Sequence, residues 1–285
     1  MITSKTSFLA LIGNPISHSL SPIMQNAAIR YLGLDLIYIA IPCKNEDLEI
    51  VVNSLKKMNF KGLNITIPFK QKVFNCCSEI SPVAKKVKAI NTLKLNDNKN
   101  WIGTNTDIDG FIYPLKNLNL IKKTSIILGS GGAARSAIQG LINLKVSQIT
   151  IISRNKSSLN ELITDFENDI KIDGLLNTNT EVDNLIEETD LIVNTPPAGM
   201  SKPTHHDELP FGKSFWETIN SNTIVYDLIY NPSTTPFLKL CDQKGCMTIN
   251  GSQMLIAQGA KSLSFWTNGL EVPFEVMHDA IKKYL

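Results

Sequence analysis

No apolar stretch in this chain approaches the roughly 20 residues that a membrane-spanning helix needs. The longest are Phe8-Leu-Ala-Leu-Ile12 and Leu36-Ile-Tyr-Ile-Ala-Ile41. Phe8–Ile12 is also too short for the core of a secretory signal. Cysteine is sparse: five residues (Cys43, Cys76, Cys77, Cys241, Cys246), none in Cys-x-x-Cys spacing and one left over from any pairing. A disulfide framework is excluded, and a reduced, cytoplasmic chain with free thiols is expected. Neither sign of charge dominates, with 28 basic against 26 acidic residues, so nothing favours nucleic acid or an anionic membrane as partner. No His/Cys/Asp cluster stands at ligand spacing, so no metal is expected, and His205-His206 reads as solvated surface. Internal repeats are lacking as well.

What is there is an ordinary globular composition, 43% hydrophobic and 19% charged over 285 residues. Folding a chain of this size buries about three quarters of its extended surface, and the length suggests two domains. Short runs rich in Ile, Val and Leu alternate with helical patterns. Leu36–Ile41, Gly62–Ile67, Thr124–Leu128, Ile149–Ser153, Leu191–Asn194 and Ile224–Asp227 read as buried strands. Ile23–Tyr31, Asp47–Met58, Ala133–Leu144 and Leu159–Phe166 carry apolar residues at helical spacing. This alternation implies an α/β fold with parallel sheets covered by helices. Asn96–Asn100 reads as a hairpin turn between Thr92–Leu95 and Trp101–Thr104, and two helices, Ser252–Trp266 and Pro273–Tyr284, finish the chain. Boundaries suggest themselves near Gly110 and near Asn250-Gly251.

Gly129-Ser130-Gly131-Gly132-Ala133-Ala134 places Gly-x-Gly-x-x-Ala directly after a strand and at the mouth of a helix. The first glycine permits the tight turn, the second admits a pyrophosphate, and the small Ala134 lets helix and strand pack closely. The helix end then holds phosphate through free N–H groups. Between Gly129 and Asn160 there is no acidic residue to accept from a ribose 2′-hydroxyl. Ser153-Arg154-Asn155-Lys156-Ser157-Ser158 stands there instead, and its cations and hydroxyls suit a 2′-phosphate. One charge-assisted contact is worth roughly 1.5–3 kcal/mol, or about 10–150-fold in favour of NADP(H) over NAD.

The remaining polar constellations precede Gly110. Gly13-Asn-Pro-Ile-Ser-His18-Ser19-Leu-Ser21-Pro22 leads into a helix. If that segment is extended, Ser19 and Ser21 project to one side and could clasp a small carboxylate. Local physics favours Ser21 as a helix cap ahead of Pro22, which leaves Ser19 unexplained. Asn64-Ile-Thr66-Ile-Pro68-Phe-Lys70 ends in a lysine, followed by Asn91-Thr92 and Asn105-Thr-Asp107.

With these blocks the chain resembles the shikimate dehydrogenase family. Gly-Asn-Pro-Ile-x-His-Ser-x-Ser-Pro, Asn-x-Thr-x-Pro-x-Lys, Ala-Ile-Asn-Thr, Asn-Thr-Asp and Gly-x-Gly-Gly-Ala follow in the family's order. Then come Asn194-Thr195-Pro-Pro-Ala-Gly199-Met200, Tyr226-Asp227-Leu-Ile-Tyr230 with Pro232 and Thr235-Pro236, and Gly251-Ser-Gln-Met254-Leu255-Ile-Ala-Gln258. The resemblance implies reversible NADPH-dependent reduction of 3-dehydroshikimate to shikimate in aromatic amino-acid biosynthesis. By motif match Lys70 and Asp107 are the catalytic pair. Ser19, Ser21 and Tyr230 would bind the substrate carboxylate, and Thr66, Asn91 and Gln258 the ring hydroxyls. Thr195 joins the glycine turn and the Ser153–Ser158 segment among the cofactor-binding residues, while Leu228 and Gly251 would flank the nicotinamide. The implied architecture is a substrate-binding domain of residues 1–110 and 251–285 and a Rossmann-type NADP-binding domain of residues 111–250. The C-terminal helices would return to the first domain, in a monomer or homodimer. Departures are Ser153-Arg154-Asn155 where relatives often have Asn-Arg-Thr, Pro196-Pro197, and Ser130 inside the glycine turn. A quinate/shikimate dehydrogenase and a catalytically silent dinucleotide-binding protein are the alternatives. The first typically needs an acidic residue absent here, and the second has no use for both Lys70 and Asp107.

Overall fold

The computed structural model describes residues 2–58, 60–177, 182–200, 209–211 and 216–285. His205 and His206 lie outside the described residues. The chain divides into two compact units, Met1–Gly110 with Leu255–Tyr284, and Phe111–Met254.

The first unit contains β1 (Ser7–Gly13), α1 (Ser21–Tyr31), β2 (Leu36–Pro42), α2 (Leu48–Lys57), β3 (Phe60–Ile65), β4 (Glu79–Ile80), α3 (Pro82–Val87), β5 (Thr92–Leu95) and β6 (Trp101–Thr104). They form one sheet in the order β2-β1-β3-β5-β6-β4. β1 runs parallel to β2 and β3, whereas β5 is antiparallel to both β3 and β6. The sheet is therefore mixed, not parallel as strand–helix alternation implied. The hairpin at Asn96–Asn100 reverses direction without a crossover helix. Its turn is closed by Asn96, whose N–H donates to the Asn100 carbonyl and whose Oδ1 accepts the Asn100 N–H at 2.8 Å. In α1 the buried positions are Ser21, Met24, Gln25, Ala28 and Ile29, the i, i+3, i+4 stripe of a helix lying on a sheet.

The second unit begins within α4 (Asp107–Ile112), at Phe111, and holds β7 (Thr124–Leu128), α5 (Gly132–Asn143), β8 (Gln148–Ser153), α6 (Lys156–Phe166), β9 (Lys171–Leu176), α7 (Val182–Glu187), β10 (Leu191–Asn194), β11 (Ile224–Asp227), α8 (Pro236–Gln243) and β12 (Met247–Ile249). All six strands are parallel, in the order β12-β11-β10-β7-β8-β9. This is the doubly wound arrangement, with its direction of winding reversed between β7 and β10. Every residue of β10 is buried, as a strand covered on both faces requires. Its core includes Ile126, Ile152, Ile192, Val225, Trp216 and Phe237. Burying each such Ile or Val contributes about 1.5–3 kcal/mol.

The chain ends in α9 (Ser252–Trp266) and α10 (Phe274–Ile281). From Leu255 onward these helices belong to the first unit. Gln25 of α1 donates to the Gly259 carbonyl at 2.9 Å, and a Cβ at Gly259 would lie 2.4 Å from the Met24 methyl, so α9 packs closely on α1 there. Trp266 Nε1 donates to the Leu93 carbonyl at 2.8 Å, tying α9 to β5. Among the described residues no helix is long and apolar enough to cross a membrane.

Candidate active site

In the first unit the carboxyl ends of β1 and β3 lie side by side. The Thr66 N–H donates to the Ile12 carbonyl and the Asn14 N–H to the Ile67 carbonyl. A Cβ at Gly13 would fall 2.3 Å from the Thr66 methyl, so glycine lets the loop that carries Ser19 close onto the segment that carries Lys70. Beyond Lys70, the Ile90 N–H donates to the Lys70 carbonyl, and the Ile65 N–H donates to the Asn91 carbonyl. The loop before β5 is thereby drawn against the end of β3. The hairpin then brings Thr104 back beside Asn91, and Asp107 opens α4. Asn105 Oδ1 accepts the Asp107 and Ile108 N–H groups, which fixes that turn.

The outcome is a charged pair assembled from segments 37 residues apart. Lys70 Nζ lies 2.7 Å from Asp107 Oδ2, with side chains 17% and 6% exposed. The other carboxylate oxygen accepts from Asn91 Nδ2 at 2.8 Å. Asn91 also reaches Gln258 Oε1 of α9 at 3.5 Å. Lys70, Asn91, Asp107 and Gln258 therefore form one cluster, with Thr66 half-buried at the same sheet end. An ammonium held this way has one firm acceptor and two remaining protons. It can neutralise an oxyanion and give up a proton to it.

Ser19 and Ser21 depart from the local reading. α1 has Leu20, in a helical conformation, at its N-cap and makes no side-chain cap hydrogen bond, so Ser21 does not cap it. Ser19 is the residue whose Oγ accepts a backbone N–H, that of Ser21, at 3.2 Å. Ser21 is buried. The intervening Leu20 is not extended, so alternation is not what places the two hydroxyls. His18 is exposed. Cys76 closes a short 3-10 turn, and burial pushes its thiol up to about 11 and that of Cys77 up to about 12, which leaves both protonated at neutral pH.

The second unit gathers the cofactor candidates at the carboxyl ends of its strands. Gly129 has φ +94°, and a Cβ there would meet Thr195 Oγ1 at 2.7 Å. Thr195 Oγ1 donates to the Leu128 carbonyl at 2.6 Å, linking the ends of β7 and β10 across the reversal. Gly131 is the N-cap of α5 with no side-chain cap, and a Cβ there would meet nothing within 4 Å. An open, uncapped helix N-terminus of this kind accommodates a phosphate. The neighbouring Gly132 and Ala133 are half-buried and Ala134 is buried. Ser130 Oγ hydrogen-bonds Ser153 Oγ at 2.8 Å and Ser158 Oγ at 2.7 Å, so the glycine turn is joined to the segment after β8. Asn155 caps α6, while Arg154 and Lys156 are exposed at the same edge. Gly251 approaches Leu228 so closely that a Cβ would lie 2.0 Å from its carbonyl oxygen. Tyr230 is half-buried in the loop after β11.

Two features escaped the sequence. Arg135, 2% exposed, pairs with Glu161 at 2.7 Å and Asp165 at 2.6 Å, clamping α5 to α6. Asp227 is fully buried and accepts from Asn194, Thr235 and the Ile229 N–H. Burial pushes its carboxyl up to about 6 against those hydrogen bonds. An acidic residue ending a buried strand is the signal that could have singled out Asp227.

A doubly wound unit with a phosphate-type glycine turn, together with an α/β unit that carries an ammonium–carboxylate pair, defines a dinucleotide-dependent oxidoreductase. The comparisons narrow this class. The family model for the shikimate dehydrogenase substrate binding domain matches residues 11–93, and that for the shikimate 5'-dehydrogenase C-terminal domain matches residues 251–282. The chain is 84% identical to the shikimate dehydrogenase (NADP(+)) of Prochlorococcus marinus subsp. pastoris, over 100% of both chains. Among solved structures, the shikimate dehydrogenase of Aquifex aeolicus superposes with a TM-score of 0.88 at 31% identity, over 99% of this chain and 100% of that one. The shikimate 5-dehydrogenase of Listeria monocytogenes, solved with shikimate and NAD, gives 0.88 at 30% identity over 98% of each. The chain belongs to the shikimate dehydrogenase family.

Proposed function

We propose that this chain catalyses the reversible NADPH-dependent reduction of 3-dehydroshikimate to shikimate, with Lys70 as general acid/base and Asp107 as its orienting partner. The observation that carries the assignment of these two residues is the 2.7 Å contact between Lys70 Nζ and Asp107 Oδ2, with Asn91 holding the second carboxylate oxygen. The reduced cofactor, when bound, supplies a hydride to the ketone carbon. As negative charge grows on the ketone oxygen, the Lys70 ammonium stabilises it and transfers one proton, leaving a neutral amine and a secondary alcohol. Asp107 keeps the ammonium aimed throughout and does not itself give up a proton.

Ser19, Ser21 and Tyr230 bind the substrate carboxylate, and Thr66, Asn91 and Gln258 its hydroxyls. The residues of the second unit fit the cofactor. The uncapped α5 N-terminus at Gly131 receives the pyrophosphate, and the exposed Arg154 and Lys156 face the 2′-phosphate. Ser153, Asn155 and Ser158 shape that edge, and Leu228 and Gly251 offer backbone groups to the nicotinamide. On this reading residues 1–110 with 251–285 form the substrate domain and residues 111–250 the NADP domain. The protein works in the cytoplasm as a monomer or homodimer.

Assaying shikimate and quinate, each with NADP⁺ and NAD⁺, by absorbance of the reduced cofactor tests the proposal. Shikimate with NADP⁺ should exceed every other pair by at least about tenfold in kcat/KM, as expected for a 2′-phosphate contact of this strength. Equal rates with NAD⁺, or faster oxidation of quinate, would overturn the cofactor or the substrate assignment respectively.

A further inference from the structure

Behind the cluster of the first unit lies a buried polar chain that the reaction as described does not use. Its side chains come from β2, β3, β5, α9 and the loop before α4, and none is more than 6% exposed. Starting at Asp107, Asn91 Nδ2 donates to the carboxylate and, at 2.9 Å, to Thr106 Oγ1. Thr106, Thr92 and Ser262 hydroxyls then form a triangle with sides of 2.8, 3.0 and 3.3 Å. Asn64 Nδ2 reaches that triangle at Ser262 (3.0 Å) and Thr92 (3.1 Å). Asn64 Oδ1 accepts from the Tyr38 hydroxyl at 2.8 Å, where the chain ends.

Backbone groups fix the direction of this chain. The Thr106 N–H can only donate, and it donates to Asn91 Oδ1 at 2.8 Å, so the Asn91 amide must turn its NH₂ toward Asp107. The Asn91 carbonyl can only accept, and it accepts from Asn64 Nδ2 at 3.1 Å, so Asn64 must present its oxygen to Tyr38. Tyr38 has one proton and spends it on Asn64. Neither amide can flip without burying a mismatched pair, an expensive change in a dry interior. The two amides also break any continuous proton relay, so the chain positions groups and carries no proton along its length.

We propose that Tyr38, Asn64, Thr92 and Ser262 are positioning residues that hold the Asn91 amide, and through it the Asp107 carboxylate, in the orientation the reaction uses. This rests on the role given above to Asp107. Removing the Thr92 hydroxyl, which also donates to Asn91 Oδ1 at 3.0 Å, loosens the Asn91 amide and with it the aim of the Lys70–Asp107 pair. Removing the Tyr38 hydroxyl acts on the same amide from farther along the chain, by leaving Asn64 Oδ1 without its donor.

The test uses steady-state kinetics with shikimate and NADP⁺ on the full chain. Tyr38→Phe should lower kcat severalfold with KM for NADP⁺ unchanged, the scale of one lost hydrogen bond felt through Asn64. Thr92→Val, which keeps the side-chain shape, should lower kcat about five- to tenfold with KM for NADP⁺ unchanged, whereas Thr92→Ser, which keeps the hydroxyl, should restore it. The double variant Tyr38→Phe/Thr92→Val should lose less in kcat/KM than the product of the single losses, because both act through one network. If Thr92→Val does not fold, Ser262→Ala carries the same expectation. Wild-type constants in these variants beside an inactive Lys70→Ala would overturn the positioning role and leave the active-site reading intact. Full turnover by Lys70→Ala would overturn that reading and this proposal together.

Discussion

The two units solve the problem of building a site in opposite ways. In the second, the proposed cofactor site is built from exposed or backbone features: glycines at strand ends, an uncapped helix, and cations at the rim. In the first, the proposed reacting site is built from buried polar side chains, with Asn91 and Thr92 2% and 0% exposed and Asp107 at 5%. The contrast follows from what each must recognise. A dinucleotide brings its own charge and can be met by fixed dipoles at a helix end. A ketone undergoing reduction develops charge only in the transition state, and stabilising that charge needs groups aimed in advance. Buried side chains with no alternative partners supply such aim, whereas rim residues supply affinity.

This contrast predicts where each substitution registers. Asp107→Asn should lower kcat by about 10²-fold or more, the usual scale of a disabled acid–base pair, while KM for NADP⁺ stays within about twofold. A change of equal size in both constants would erase the distinction between the units. Arg154→Ala should cost about 10–150-fold in kcat/KM with NADP⁺ and little with NAD⁺. Equal losses with both cofactors would place the 2′-phosphate elsewhere.

Asp227 is the exception that sharpens the comparison, being a buried carboxyl in the unit otherwise built on its rim. Its folded value of about 6 lies above the ordinary 3.8. The folded protein therefore holds an extra proton in that window. The stability this group contributes is complete below about pH 3.8 and lost as pH rises through about 6. A rise of that size corresponds to roughly 2–3 kcal/mol between the protonated and ionised carboxyl. Thermal unfolding of Asp227→Asn against the unsubstituted protein should show a deficit that is largest near pH 4 and shrinks by pH 7. A deficit independent of pH would mean that the carboxyl titrates normally. The smallest effect belongs to Ser130→Ala, which removes the hydroxyl that bridges Ser153 and Ser158. It should raise KM for NADP⁺ severalfold, on the scale of about 1 kcal/mol, with kcat unchanged.

Legibility in the sequence follows the same division. β7, β10 and β11 stand within the bounds that their Ile- and Val-rich runs indicated, because central parallel strands must be apolar on both faces. β9 (Lys-Ile-Asp-Gly-Leu-Leu) and the three-residue β12 lie at the sheet's edges, where that demand is relaxed, and they leave no apolar run to read. The glycine turn and the basic segment after β8 were legible because local geometry dictates both. In the first unit Lys70 and Asp107 were marked by motif, yet nothing local brings them together. Tyr38 sits inside an apolar strand and Ser262 inside a helical stripe, where each reads as core. Their partners lie 26 and 170 residues away, and only the folded sheet, with α9 packed on it, creates the network.

The most direct measurement is kcat and KM of Lys70→Ala for 3-dehydroshikimate and for NADPH. The account predicts a fall in kcat of about 10²–10⁴-fold with KM for NADPH essentially unchanged, the pattern of a group that acts in the transition state. An intact kcat, or a KM for NADPH that rises as steeply as kcat falls, would contradict it.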